Sequence, residues 1–189
     1  TDAHLGQAGN PVQFSGNATL RYGSTLTTSR DMNFGSGGGQ IDVVSGPTVS
    51  LSGNLTGTGR LTKTGDGTLR FLVSTQFTGG LAVAAGTVDL FASDALLVSM
   101  GSNTVLANSS PQQRMVTLDP FLDTTFQGSI QGNIALIKRG EKSITLQQNN
   151  TFTGPVTIER GRILLSGSSG AAAGVTAWTG VRNAQAANN

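Results

Sequence analysis

The stretch from Arg60 to Leu90 reads RLTKTGDGTLRFLVSTQFTGGLAVAAGTVDL, and it contains no His and no Cys. Large apolar residues take every second position in Thr68-Leu69-Arg70-Phe71, in Leu81-Ala82-Val83 and in Val88-Asp89-Leu90. That is the period of a strand with one face buried. Gly65-Asp66-Gly67, Gly79-Gly80 and Ala85-Gly86 separate these runs. Glycine supplies the positive φ that a tight corner needs, so the chain bends every few residues. Short strands joined by sharp corners predict a coil of β-structure, with hairpins as the other arrangement.

Sliding the sequence by 75 positions favours the coil. GNLTGTGRLTKTGDGTLRFLVSTQFTGGLAVAAGTVDL, from Gly53, lies without a gap over GSIQGNIALIKRGEKSITLQQNNTFTGPVTIERGRILL, from Gly128. Leu61, Lys63 and Gly65 fall on Leu136, Lys138 and Gly140, and Phe77-Thr78-Gly79 on Phe152-Thr153-Gly154. Gly86 falls on Gly161. Corners and strand phase are both kept, which is the signature of a stacked repeat whose units bury their apolar faces on one another. The alternation points Leu69, Phe71, Leu81, Val83, Val88 and Leu90 inward. It does the same for Ile144, Leu146, Val156, Ile158, Ile163 and Leu165.

Composition agrees with this reading. Of 189 residues 27 are Gly, about twice the average share. Charged residues are 12% of the chain, roughly half the usual fraction, so outward positions are filled by Thr, Ser, Asn and Gln. The chain has no Cys, which excludes thiolate metal sites, a catalytic Cys and a disulfide framework. A net charge of +2 argues for no strongly polyanionic partner, and 5% aromatics argue against nucleic acid. No apolar run reaches the length of a membrane-spanning helix, and TDAHLGQAGN lacks the pattern of a secretion signal. The expected organisation is a repeat domain over 1–167, with units of about 1–92 and 93–167. Residues 168–189, rich in Ala, Asn and Gly, form a tail, cap or inter-subunit segment in which Val175, Trp178 and Val181 offer apolar surface.

At this point the motif resembles the passenger-associated repeat of bacterial autotransporters, whose pattern runs GLTKxGxGTLxL, then NTYTGGTxVxxGTLxL. Leu61, Thr62, Lys63, Gly65, Gly67, Thr68 and Leu69 match it, as do Phe77, Thr78, Gly79, Gly80, Val83, Gly86 and Thr87. The second copy matches through Asn150, Thr151, Phe152, Thr153, Gly154, Val156 and Gly161, and departs at Ile137, Arg139, Glu141 and Lys142. The resemblance implies an all-β fold, a right-handed parallel β-helix of about seven or eight rungs. Right-handedness also follows from the general hand of parallel crossovers. It implies export to the cell surface or medium, as an adhesin stalk or a fibre subunit, without naming an activity.

The corner positions of the repeat are Gly65, Gly79, Gly86, Gly140, Gly154 and Gly161, with Phe77 and Phe152 as its aromatic positions. Lys138, Arg139, Lys142, Arg160 and Arg162 form either a mixed-charge ladder with Glu141 and Glu159 or a weak anion patch. Asp119 and Asp123 are the only close acidic pair away from the terminus, and a glycosidase needs two such carboxyls with divided roles. The sole His is His4, poorly placed for a triad. Gly35 to Gly39, GSGGG, lacks the Lys-Ser/Thr of a phosphate loop. No catalytic, cofactor or metal site is expected. The main expectation is a non-enzymatic structural module that associates end to end through its open rungs. The alternative is a carbohydrate-active enzyme or glycan-binding module on the same fold, in which a groove would be lined by Tyr22, Trp178 or paired acids.

Overall fold

A computed structural model describes residues 5–7, 9–73, 75–91 and 105–166. Apart from a 3-10 turn at Leu5, their regular structure is strand, in seven rungs of three. The first two rungs hold β1 (Val12–Phe14), β2 (Thr19–Tyr22) and β3 (Leu26–Thr28), then β4 (Met32–Phe34), β5 (Gly39–Val43) and β6 (Thr48–Leu51). The third holds β7 (Leu55–Gly57), β8 (Leu61–Thr64) and β9 (Thr68–Phe71), and the fourth β10 (Thr75–Phe77), β11 (Leu81–Val83) and β12 (Thr87–Leu90). The fifth holds β13 (Val105–Asn108), β14 (Arg114–Leu118) and β15 (Thr124–Phe126), and the sixth β16 (Ser129–Gly132), β17 (Ile134–Lys138) and β18 (Ser143–Leu146). The seventh holds β19 (Thr151–Phe152), β20 (Val156–Ile158) and β21 (Arg162–Leu165).

Every strand pairs in parallel with its counterpart one rung away. Two sheets run through all seven rungs: β2-β5-β8-β11-β13-β16-β19 (the B face) and β3-β6-β9-β12-β14-β17-β20 (the C face). The remaining strands form β1-β4-β7-β10 (the A face) and β15-β18-β21 (the D face). In chain order each D strand follows a C strand, the place the A strands hold earlier. The chain is therefore the expected parallel β-solenoid.

The core follows from alternation stacked in register. Leu26, Val49, Leu69, Val88, Val116, Leu136 and Val156 form one column down the C face. All of these except Leu26 are buried. Each adds apolar area removed from water, at roughly 25 cal/mol per Å². Phe14 and Phe34 are register partners on the A face, and their rings stack at 4.7 Å. Of the residues read as inward, Ile158 and Ile163 are half-buried, and Leu165 is 55% exposed. Leu165 keeps the inward phase, pairing in register with buried Leu146, but β21 has a strand partner on one side only among the described residues.

Two other expectations change. Tyr22 lines no groove, since it is buried in the core with Val43 as its register partner. The 75-residue shift does not stack like on like. It advances the motif three rungs and one face, from β8 on the B face to β17 on the C face. Phe77 and Phe152 accordingly lie on different sheets. Phe152 is buried; the side chain of Phe77 lies outside the described residues, as do His4, Val175, Trp178 and Val181.

Candidate functional site

In both repeat copies the corner is built around a buried lysine. Lys63 lies two residues after Leu61 on β8, in the inward phase, between Ile41 and Val83 in register. Lys138 lies two residues after Leu136 on β17, between Leu118 and Ile158. Both are fully buried. Their aliphatic stems lie in the apolar column while the ammonium groups turn to the corner.

The Lys63 ammonium donates to the carbonyls of Thr64 (2.6 Å) and Gly65 (2.6 Å) in its own corner. It also donates to the Ala85 carbonyl (3.3 Å) in the corner one rung on. Lys138 repeats the pattern, donating to Arg139, to Gly140 at 2.8 Å and to Arg160 at 3.4 Å. An ammonium has three N–H donors, and each lysine thus fastens two successive corners. The arrangement answers two burial penalties at once. Corner carbonyls that leave a ladder need a donor, and a buried charge needs partners.

Burial still costs the charged form. It pulls the Lys63 ammonium down to about 8, with Arg114 adding to the effect and Asp42 and Asp66 opposing it. At neutral pH the group therefore remains protonated. Burial also lowers Lys138, against the pull of Asp119, Glu141 and Asp123.

Glycine makes room for the clasp. Gly65 and Gly140 turn with φ of 70° and 69°, a region that L side chains avoid. Gly86 and Gly161 hold the matching place one rung on, at 68° and 70°. A Cβ on Gly161 would lie 2.9 Å from the Lys138 Nζ. Gly79 and Gly154 are needed for space instead. A Cβ there would meet the carbonyl oxygens of Gly59 at 2.1 Å and Ile134 at 2.2 Å.

Two further buried polar groups serve the backbone. Arg30 is 2% exposed, and its guanidinium donates to the carbonyls of Gly6 (2.7 Å), Gln7 (2.9 Å) and Asn10 (2.8 Å). It thereby ties the N-terminal turn to the first rungs. Asn108 is buried at the end of β13 and donates to Gln112 and Asn133, while its side-chain oxygen accepts from the Ser110 N–H. Sequence reasoning passed over both. It also placed Lys138 in a surface cation group, where burial rules it out. The available signal was phase: Leu61-x-Lys63 and Leu136-x-Lys138 continue the apolar alternation with a cation.

Of that surface group, Arg139 pairs with Glu159 at 2.9 Å and Arg160 with Glu141 at 3.7 Å, all exposed. Lys142 and Arg162 lie near enough to Asp123 to favour its charged form. The geometry is that of a mixed-charge surface. Asp123 accepts the backbone N–H of Ser143 at 2.7 Å, which holds its carboxyl below the usual range. Asp119 sits against the Gly140 corner. Both carboxylates therefore contact corner backbone.

The sequence matches the passenger-associated-transport-repeat family over residues 61–90 and 136–171. These are the two stretches that carry the lysine clasps. The chain is an autotransporter passenger repeat protein. This passenger repeat protein is also 35% identical, over 152 residues, to the adhesin BmaC autotransporter of Brucella suis biovar 1 (strain 1330). The match covers 75% of this chain and 4% of that protein, so the chain spans a small part of its relative's length. No solved structure matches it significantly.

Proposed function

We propose that the passenger repeat protein is a non-enzymatic, adhesin-type module of a surface-displayed or secreted passenger. Its work is to form a stiff rod that holds its outer faces away from the cell. The observation that carries this reading is the clasp. The residues that define the repeat are spent inside the wall, joining each corner to the next rung, and an internal joint of this kind resists bending and sliding between rungs. The relative with an adhesin's name supports the reading on the side of function. Seven rungs at the spacing of paired strands give a rod of roughly 30–35 Å. Its repeat construction lets neighbouring rungs extend it without a new design.

The test has two arms. Small-angle scattering should give an elongated particle, and incubation with pectin, alginate and arabinoxylan should release no sugar above buffer. Turnover that disappears in an Asp119→Asn, Asp123→Asn double variant would overturn the non-enzymatic part. A compact, isometric particle would overturn the rod.

A further inference from the structure

The outer surface of the A face carries a feature that the rod does not require. Gln13, Asn33, Thr56 and Gln76 are register partners on β1, β4, β7 and β10 and form one outward row, one residue per rung. Asp31 and Asn54 stand beside the row, and together these side chains line a trough of about 400 Å³. That is within the size range of ligand sites. Rows of this kind repeat every ~4.8 Å, the distance between paired strands.

Much of the hydrogen-bonding capacity in the trough is unspent. The amides of Gln13 and Gln76 are exposed and make no hydrogen bond among the described residues. Asn33 donates one N–H to the Thr56 hydroxyl at 2.9 Å, which leaves its carbonyl oxygen and a second N–H. Asp31 accepts the Asn54 backbone N–H with one oxygen, at 2.8 Å, and keeps the other. A primary amide offers donors and an acceptor side by side. Adjacent hydroxyls on a sugar ring present the complementary pair, so one amide can hold two hydroxyls at once.

Charge narrows the ligand class. Among the described residues no Lys or Arg lines the trough, and the single ionisable lining group is a carboxylate. Phosphate, sulfate and uronate chains would meet repulsion there with no cation among the described lining residues to offset it. Among the described residues the lining also lacks aromatic rings, so recognition would run through hydrogen bonds along an extended strand rather than by stacking. We propose that this trough binds an uncharged polysaccharide strand, laid across the rungs with one sugar near each amide. Each contact is weak, and repetition along a longer passenger would raise the avidity. The proposal goes beyond the rod reading and does not depend on it.

Calorimetric titration of the full chain tests it, with cellohexaose and mannohexaose as neutral probes and hexagalacturonate as an anionic one. Saturable binding of at least one neutral probe is expected, with hexagalacturonate at least about tenfold weaker. Gln13→Ala with Gln76→Ala should weaken the neutral probe by about tenfold or more, as the loss of two paired hydrogen-bonding groups implies. Gln131→Ala, on the B face, should change nothing. Absence of binding by both neutral probes, equal binding of hexagalacturonate, or an unaltered double variant would each overturn the assignment. So would a trough variant that changes only self-association in sedimentation, since the face would then pair copies of this chain.

Discussion

The first repeat copy runs from β8 to β12 and the second from β17 to β21, and the same sequence pattern is used on different faces. In the first copy the clasped corner joins the B and C faces; in the second it joins the C and D faces. The lysine reaches 22 residues ahead in both, from Lys63 to Ala85 and from Lys138 to Arg160. What the motif specifies is therefore a pair of stacked corners, which the solenoid hosts at the B–C junction in one copy and at the C–D junction in the other. The two corners differ in what crowds their first glycine. A Cβ at Gly65 would lie 2.2 Å from both the Asp42 side chain and the Val43 backbone oxygen, whereas at Gly140 it would meet the Asp119 side chain at 2.5 Å and a backbone oxygen, that of Pro120, only at 3.3 Å.

That difference predicts the largest effect. Gly65→Val should cost more than Gly140→Val, because a carboxylate can rotate away and a carbonyl in the wall cannot. Both carry the penalty of a left-handed corner, on the order of 1–3 kcal/mol, and Gly65→Val adds backbone displacement. Urea midpoints of the two variants test the order, and equal losses would remove the asymmetry.

A second effect lies in pH. The Lys63 value falls from 10.5 to about 8 on folding. The charge therefore penalises the native state fully below pH 8, and the penalty is gone above 10.5. Stability contributed by this group rises with pH across that window, where the unfolded chain binds more protons. Lys63→Met lacks the titration, so its deficit relative to the parent should widen between pH 8 and 10 by roughly 1–3 kcal/mol. A deficit that narrows as the pH rises would contradict the assignment.

The smallest effect concerns the surface. Arg139 and Glu159 sit opposite one another on the outside of the second copy, about half exposed, at 48% and 44%. Arg139→Ala should change stability by less than about 1 kcal/mol, and less still in high salt. A larger loss would mean that the outer wall, as well as the inner clasp, joins the rungs.

Strand phase and corner positions were legible because both are local. Alternation placed Leu69, Val88 and Ile144 inside, and glycine marked the corners at Gly65 and Gly140. The face on which each copy sits was not legible. Register partners lie from 19 residues apart (Leu69 and Val88) to 28 (Val88 and Val116), so a period of 75 gives no rung count. Arg30 was hidden for a different reason: its partners are main-chain carbonyls 20 to 24 residues away, and these leave no residue-type signature. Lys138 was misplaced because a cation reads as surface until its phase is compared with Leu136. Tyr22 followed Leu20 in the inward phase, yet its hydroxyl suggested an outer groove.

The central claim is that the two clasps are equivalent corners on different faces, and matched substitutions test it most directly. Lys63→Met and Lys138→Met keep the apolar stem and delete the ammonium, leaving corner carbonyls without donors, at about 1–3 kcal/mol for each unsatisfied group. Measured by urea unfolding at pH 7, both variants should be destabilised by similar amounts. Hydrogen exchange should rise at both corners each lysine joins: near Gly65 and Ala85 in one variant, near Gly140 and Arg160 in the other. A loss confined to one variant, or faster exchange in the lysine's own corner alone, would contradict the account.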